Sequence, residues 1–348
     1  MIIRGKAPLR VSFSGGGSDV SPYCDKYGGC VLSTTIGMYA YGALEVRDDK
    51  QISILSLDYE QLVHYELGAE IQEGDQLAFV RAVIARLDPP AGFNLYLHSD
   101  APPGTGLGSS GTVSALIVGL INHAFNLMLS KYQMARLAYE VEHDDLQRAV
   151  GRQDHYAAIF GGMNYMEFTE DTIVFPLRLE PWILEELAYQ LQMFYTHKKR
   201  DSTNIVATQV EYYKDERTDT IDALARMKEI TVEMKKHLVQ GQLMSFAELL
   251  HEAWEYKKKM NPSTGNAYLD KIYATARQAG SIGGKIIGAG GGGFFLLYTP
   301  FTKKPQVAKE LEALGVKSVP FLLDYDGMKT WQVPEQSLER DESKIFNP

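Results

Sequence analysis

Residues 102–112, PPGTGLGSSGT, place four glycines and two adjacent serines directly before VSALIVGLINHAF, a segment apolar on nearly every side. Glycine lets a ligand or another backbone approach closely. The spacing of Gly106, Gly108 and Gly111 matches the dinucleotide turn G-x-G-x-x-G, which also requires an acidic residue about 20 positions on for a ribose hydroxyl. No Asp or Glu occurs from Ala101 through Tyr139, so that assignment fails. A P-loop fails as well, because G-x-x-x-x-G-K-[ST] occurs nowhere. What remains is a helix N-terminus, whose unpaired N–H groups and positive dipole end bind phosphate. Ser109 and Ser110 then cap the helix or hold a phosphate-bound cation. A plain glycine turn with serine caps is the alternative.

Two carboxylates have chemistry open to them. Asp154 lies in GRQDHYAAIFGG, between glycine-flanked apolar patches where an idle buried carboxylate would be expensive. A turn or helix-capping Asp is the bland reading of the same residue. Glu142 falls on the helix expected from about Lys131 to Ala149, on the face that carries Ala135, Ala138 and Leu146. Glu140 falls with Arg136 and Asp144 on the polar side. A carboxylate on a buried stripe needs a partner, and a magnesium ion is a good one.

Three segments, in order, resemble the motifs of the GHMP kinases, the family of galactokinase, homoserine kinase, mevalonate kinase and phosphomevalonate kinase. PPGTGLGSSGT is similar to its P-x-x-x-G-L-G-S-S signature, APLRVSFSGGGSD (7–19) to its N-terminal motif, and KIIGAGGGGFF (285–295) to its C-terminal glycine loop. The resemblance implies an α+β chain of two domains, a ribosomal-protein-S5-like one over 1–180 and a ferredoxin-like one over 181–348, with the active site between them. It implies that Pro103, Gly104, Gly106, Leu107, Gly108, Ser109, Ser110 and Gly111 wrap the triphosphate of ATP. Ser110 and Glu142 would hold Mg²⁺. Asp154 would be the catalytic base or orient the acceptor hydroxyl, and Arg10 beside it would offset the charge that builds up during transfer.

The implied acceptor is a sugar. Gly16, Gly17, Ser18 and Asp19 resemble the sugar-facing turn of galactokinase-like members, although an ordinary Asx turn would also explain Asp19. Gly290 and Gly291 would support the substrate. The further pieces GRQDHYAAIFGG, YTHKKRDS, EAWEYKKKM and GGKIIGAGGGGF resemble the branch that phosphorylates the anomeric O1 of a heptose already bearing a 7-phosphate. Arg200 and Lys257 are the cations expected to receive that acceptor phosphate, Arg being the better fork. Kinases of neutral sugars, fucokinase- or galactokinase-like, share the catalytic pieces. Some GHMP-fold proteins have lost catalysis and act as sugar or ATP sensors. Retention of Arg10, Ser110, Glu142 and Asp154 together favours an enzyme.

The elements that must position these groups are legible in outline. CVLSTTI, YAYGALEVR, QISILSL, LVHYEL and FNLYLHSD read as strands, and LAFVRAVIARL as a helix stopped by Pro89 and Pro90. Beyond residue 181 the pattern gives a strand (YQLQMFYT), three helical stretches between about 204 and 279, a strand (FFLLY), a helix (KKPQVAKELEALG) and a strand (SVPFLLD). The chain of 348 residues exceeds one ordinary core. A net charge of -9 argues against a nucleic-acid partner, while a local Lys/Arg cluster still suits an anionic small molecule. Cys24 and Cys30 form no disulfide framework or metal-ligand pattern. MIIRGKAPLR has no apolar signal core, and Val113–Ile121 falls short of the ~20 residues of a membrane helix. The expectation is a cytoplasmic enzyme, monomer or homodimer, acting on ATP and a sugar phosphate without nucleic-acid or membrane partners.

Overall fold

The computed structural model describes residues 1–70, 77–102, 104–198 and 202–334. Pro103 and Arg200, both expected at the site, lie outside the described residues. The first part of the chain runs β1 (Ile2–Ser14), α1 (Tyr23–Tyr27), β2 (Gly29–Val46), β3 (Gln51–Ser56), β4 (Gln61–Glu66), α2 (Ala78–Leu87) and β5 (Phe93–Ser99). It continues with α3 (Ser109–Ala124), α4 (Lys131–Glu140), α5 (Gln153–Phe160), β6 (Met163–Phe168) and β7 (Thr172–Pro176). CVLSTTI and YAYGALEVR are one continuous strand, β2, long enough to pair with β1, β5 and β6 along its length. α3 packs against β1 and β2 on one side and α2, α4 and α5 on the other. That double cover is why its sequence is apolar all round; Ala115 through Ile121 are buried.

The second part comprises α6 (Pro181–Gln190), β8 (Leu191–Tyr195), α7 (Ser202–Lys214), α8 (Thr218–Val239), α9 (Leu243–Met260), α10 (Ala267–Ala279), β9 (Gly283–Ile286), β10 (Phe294–Tyr298), α11 (Lys304–Glu312) and β11 (Lys317–Val319). Its strands form an antiparallel sheet in the order β11-β8-β10-β9. Two sheets, each with its own helices, make the chain the two-unit α+β fold that its motifs imply. Among the described residues no helix is long and apolar enough to cross a membrane.

Several expectations need correction. The stretch 204–279 holds four helices rather than three, and α6, started by Pro181 at its first turn, was not anticipated. SVPFLLD is two strands in different sheets: β11 joins the second, whereas β12 (Leu323–Asp324) pairs with β2 in the first. β13 (Lys329–Val333) then pairs with β1, so the end of the described chain returns to the first sheet across any cut at residue 180. The helix expected to reach Ala149 ends at Glu140 and passes into a π-helical turn, Val141–Asp145. Gln147 then takes a left-handed φ of 51°, which no continuing helix accommodates.

The returning segment docks on the end of α5 through a glycine. Gly161 has φ 71° and ψ 165°, a region open essentially to glycine alone and costing others roughly 1–3 kcal/mol. A Cβ there would also lie 2.0 Å from Gly327 N. At Gly68 φ is 88°, and a Cβ would meet nothing within 4 Å. Gly161→Ala should therefore lower thermal stability by at least ~1 kcal/mol more than Gly68→Ala, an extra ~1–2 °C or more in Tm. Equal melting shifts for the two variants would remove the docking account.

Candidate active site

Arg10 is the pivot of the cleft between the two units. Its backbone N–H donates to Leu107 O at 3.1 Å and its Nη1 to Gly106 O at 2.7 Å, so one residue of β1 holds two successive carbonyls of the first glycine loop. Its Nε donates to Asp154 Oδ1 at 2.7 Å, and Nη2 lies 2.6 Å from the same oxygen. The Arg10 side chain is 5% exposed and that of Asp154 25%, so the carboxylate is the partner open to the cleft. Gly108 and Gly111 make this possible: a Cβ would sit 3.1 Å from the Asp154 carboxyl at Gly108 and 2.8 Å from Asp154 Cβ at Gly111.

The loop ends at Gly108, whose φ of 77° turns the chain into α3 without any side-chain cap. Ser109, Ser110 and Gly111 at the helix start line the cleft. Ser109 Oγ is buried there with no hydrogen-bond partner. An orphaned hydroxyl beside unpaired helix N–H groups is the chemistry of an anion cradle.

Glu142, 2% exposed, sits on the π turn. Its Oε2 accepts from Ser110 Oγ at 2.8 Å, and its Oε1 from Ser114 Oγ at 2.8 Å and faces His155 Nε2 at 3.1 Å. Burial pushes its carboxyl pKa up, but His155 and the two hydroxyls outweigh burial and leave it below the usual range. Glu140 instead meets Arg86 on the exposed side, as does Asp145. Ser110 donates to the carboxylate, which leaves its own lone pairs to face the cleft.

Asp19 is fully buried, and burial raises its pKa; the nearby Asp154 charge acts in the same direction, against hydrogen bonds from Gly17 and Gln153. Its Oδ1 accepts from Gly17 N at 2.9 Å and its Oδ2 from Gln153 N and Nε2 at 3.1 and 3.0 Å. Gln153 Oε1 is left buried without a partner on the cleft wall. Gly16, Gly17, Gln209, Met260 and Thr264 complete this end. Tyr59, Leu77, Phe79, Val80, Leu97 and Val113 add apolar wall to the same cleft.

Gly104, Gly106, Gly108, Ser109, Ser110, Gly111, Arg10, Asp154, Glu142, Asp19, Gly16, Gly17 and Lys257 therefore share one cleft, as the sequence implies. Three groups of expected site residues stand off from it. Ser18 is buried with its hydroxyl bonded to Gly15 O and Cys30 O and receiving Cys30 N. Leu107 is a core side chain packed with Leu9 and Ile287. Gly290 and Gly291 are buried against the Thr264 turn, and the third loop presents Gly288 and Ala289 to the cleft instead. Gln153, His155 and Lys285 carry no sequence signal of their own. The first two flank Asp154 in GRQDHYAAIFGG, and Lys285 opens KIIGAGGGG, so their signal was adjacency to the motifs. Lys285 Nζ donates to Ser12 O at 3.0 Å and Phe13 O at 3.2 Å, where β1 slips register against β2.

Comparison with known proteins agrees with this arrangement. Residues 76–162 match the GHMP kinases N terminal domain and residues 234–317 the GHMP kinases C terminal domain. A curated D-glycero-alpha-D-manno-heptose 7-phosphate kinase of Campylobacter jejuni is 34% identical over 338 residues, 95% of this chain and 99% of that one. A crystal structure of a D-glycero-D-manno-heptose 1-phosphate kinase from Bacteroides thetaiotaomicron superposes with TM-score 0.79 at 33% identity, covering 96% of this chain and all of that one. Lactococcus lactis galactokinase complexed with galactose shares the fold, with TM-score 0.75 at 22% identity over 95% of each chain. Likeness of this extent, at a cleft built from the same motifs, means that the chain belongs to the GHMP kinases and is an ATP-dependent sugar kinase.

Proposed function

We propose that the chain transfers the γ-phosphoryl group of ATP to the anomeric O1 of D-glycero-D-manno-heptose 7-phosphate, giving the 1,7-bisphosphate. The observation that carries the transfer chemistry is the Arg10–Asp154 pair, bonded at 2.7 Å and set at the N-terminus of α3. The heptose rests on the likeness to the heptose phosphate kinases and is supported by the unpartnered Gln153 Oε1 beside Asp19.

The apolar wall at Tyr59, Leu77 and Phe79 suits the base of ATP, and its phosphates then run onto the N–H groups and orphaned hydroxyl of Ser109. Asp19 and Gln153 bind acceptor hydroxyls. Asp154 accepts the proton of the attacking hydroxyl, or orients it, while Arg10 keeps the carboxylate in place. No group of three His, Cys, Asp or Glu side chains is gathered to hold a metal among the described residues. The Ser110–Glu142 pair fits Mg²⁺ nonetheless, because that ion takes one or two protein oxygens and completes its shell with phosphate and water. When bound there it would offset the negative charge of the phosphates during transfer.

Asp154→Asn preserves shape but removes the proton acceptor, worth roughly 10²- to 10⁴-fold. We expect kcat to fall by that factor with ATP affinity little changed; more than a tenth of wild-type kcat would overturn the assignment. Ser110→Ala and Glu142→Gln should each raise the Mg²⁺ concentration for half-maximal activity and weaken Mn²⁺ binding to the enzyme–ATP complex, read by electron paramagnetic resonance. Their combination should be less than additive, since both hold one ion. An unaltered Mn²⁺ signal in Glu142→Gln would move the ion elsewhere. For the acceptor, a charge-assisted phosphate contact is worth ~1.5–3 kcal/mol, so heptose 7-phosphate should exceed heptose in kcat/KM by roughly 10- to 150-fold. Comparable values would make the neutral-sugar kinase the better description.

A further inference from the structure

The sequence implies that Lys257 meets a remote acceptor phosphate, yet the fold places it in the cleft beside Arg10 and Asp19. It projects from α9, is 6% exposed, and lines the cleft. Its ammonium donates to Gly288 O and, at 3.4 Å, to Ile286 O, both carbonyls at the third glycine loop. Among the described residues no carboxylate forms an ion pair with it, whereas its neighbour Lys258 pairs with Glu255 and Asp270. The charges that face it are Arg10 from β1, Asp19 from the turn after β1 and Lys285 from β9, with Asp154 of α5 already engaged by Arg10. Arg10 grips Gly106 O on the first loop, and Lys257 grips Gly288 O on the third. A buried cation satisfied only by carbonyls, beside an arginine of the same sign, is an arrangement that an incoming anion completes.

We propose that Lys257 is a second catalytic cation, contacting the oxygens of the γ-phosphoryl group from the second half of the chain while Arg10 contacts them from the first. The 7-phosphate of the acceptor is a poorer candidate for this contact, because it lies at the far end of the sugar from the reacting O1. During transfer the bond from the γ-phosphorus to the bridging oxygen of ADP breaks as the acceptor oxygen bonds to phosphorus. The hydroxyl proton passes to Asp154, and ADP leaves with the bridging electron pair. Lys257 keeps its protons and supplies charge alone. Burial pushes its amine down to about 7, helped by Arg10 and opposed by Asp19. The amine is therefore charged below about pH 7 and progressively neutral above it, until bound phosphate raises its affinity for the proton.

The proposal rests on phosphoryl transfer and not on which sugar accepts it. In the full chain, Lys257→Met should lose ~10²- to 10³-fold in kcat, as for removal of one transition-state donor, and equally with heptose and heptose 7-phosphate. Its Kd for ATP by calorimetry should stay within about threefold, because one contact of many is lost in the ground state. Wild-type kcat/KM for ATP at saturating acceptor should fall about tenfold per pH unit above about 7. Lys257→Arg should carry no such limb between pH 7 and 9, since guanidinium does not deprotonate there. The proposal is overturned if Lys257→Met keeps more than a tenth of kcat, or if its loss is confined to the phosphorylated acceptor. It is equally overturned if Lys257→Arg retains the wild-type limb. Should the methionine variant fail to fold, Lys257→Gln is measured in its place, and more than a tenth of wild-type kcat there removes Lys257 from the chemistry.

Discussion

The contact between the first and third glycine loops is the constraint on which the cleft depends. Gly106 has φ 88°, and a Cβ on it would lie 2.5 Å from Ile287 O; a Cβ on Gly288, at φ 72°, would lie 2.5 Å from Gly106 Cα. The two backbones touch with no room for a side chain on either. That touch carries the start of α3, which belongs to the first sheet, up against a loop strung between β9 and β10 of the second. The glycines thus answer to two demands. Gly108 and Gly111 clear space around Asp154, whereas Gly106 and Gly288 are required by protein packing.

Charged residues reinforce the same seam from both sides. Arg10 spans from β1 to the first loop and α5, and Lys257 spans from α9 to the third loop. Lys285 binds the second sheet to carbonyls that β1 exposes where its register slips. Its amine is held well below the usual lysine range, by burial first and then by Lys257 and Arg10. Each cation therefore has a structural task in holding backbone carbonyls, and the same task fixes its position for chemistry. Precision at the reaction centre follows from short tethers rather than from a separate supporting shell.

Much of this was legible in sequence because it rests on backbone-level demands that leave glycine, serine and aspartate signatures. The motif order gave the two-unit fold, and the helical period put Glu142 on the buried side and Glu140 on the exposed one. The helix itself was overextended: a π turn carries Glu142, and hydrophobic period does not register an inserted residue. Motif membership implies ligand contacts for Ser18, Leu107, Gly290 and Gly291, whereas the fold turns the Ser18 and Leu107 side chains and the faces of both glycines into the protein's own packing. The return of β12 and β13 to the first sheet was hidden because strand pairing between residues some 300 apart leaves no local mark. Lys257 reads as one of three consecutive lysines on an amphipathic helix, and only the fold separates the buried one from its solvated neighbours.

The buried polar atoms without protein partners show where that economy stops. Ser109 Oγ and Gln153 Oε1 lie on the cleft wall, at the start of α3 and beside Asp19 respectively. Around them each carboxylate is held by the protein: Asp19 takes three N–H groups, Glu142 takes two hydroxyls and an imidazole, and Asp154 takes the arginine on Oδ1 alone. A buried hydroxyl or amide oxygen left unpaired costs about 1–3 kcal/mol. The groups left open are a hydroxyl that can donate to phosphate and an amide oxygen that can accept from a sugar hydroxyl. The chain thus fixes its carboxylates in position through its own donors and leaves these two neutral polar atoms open to the cleft.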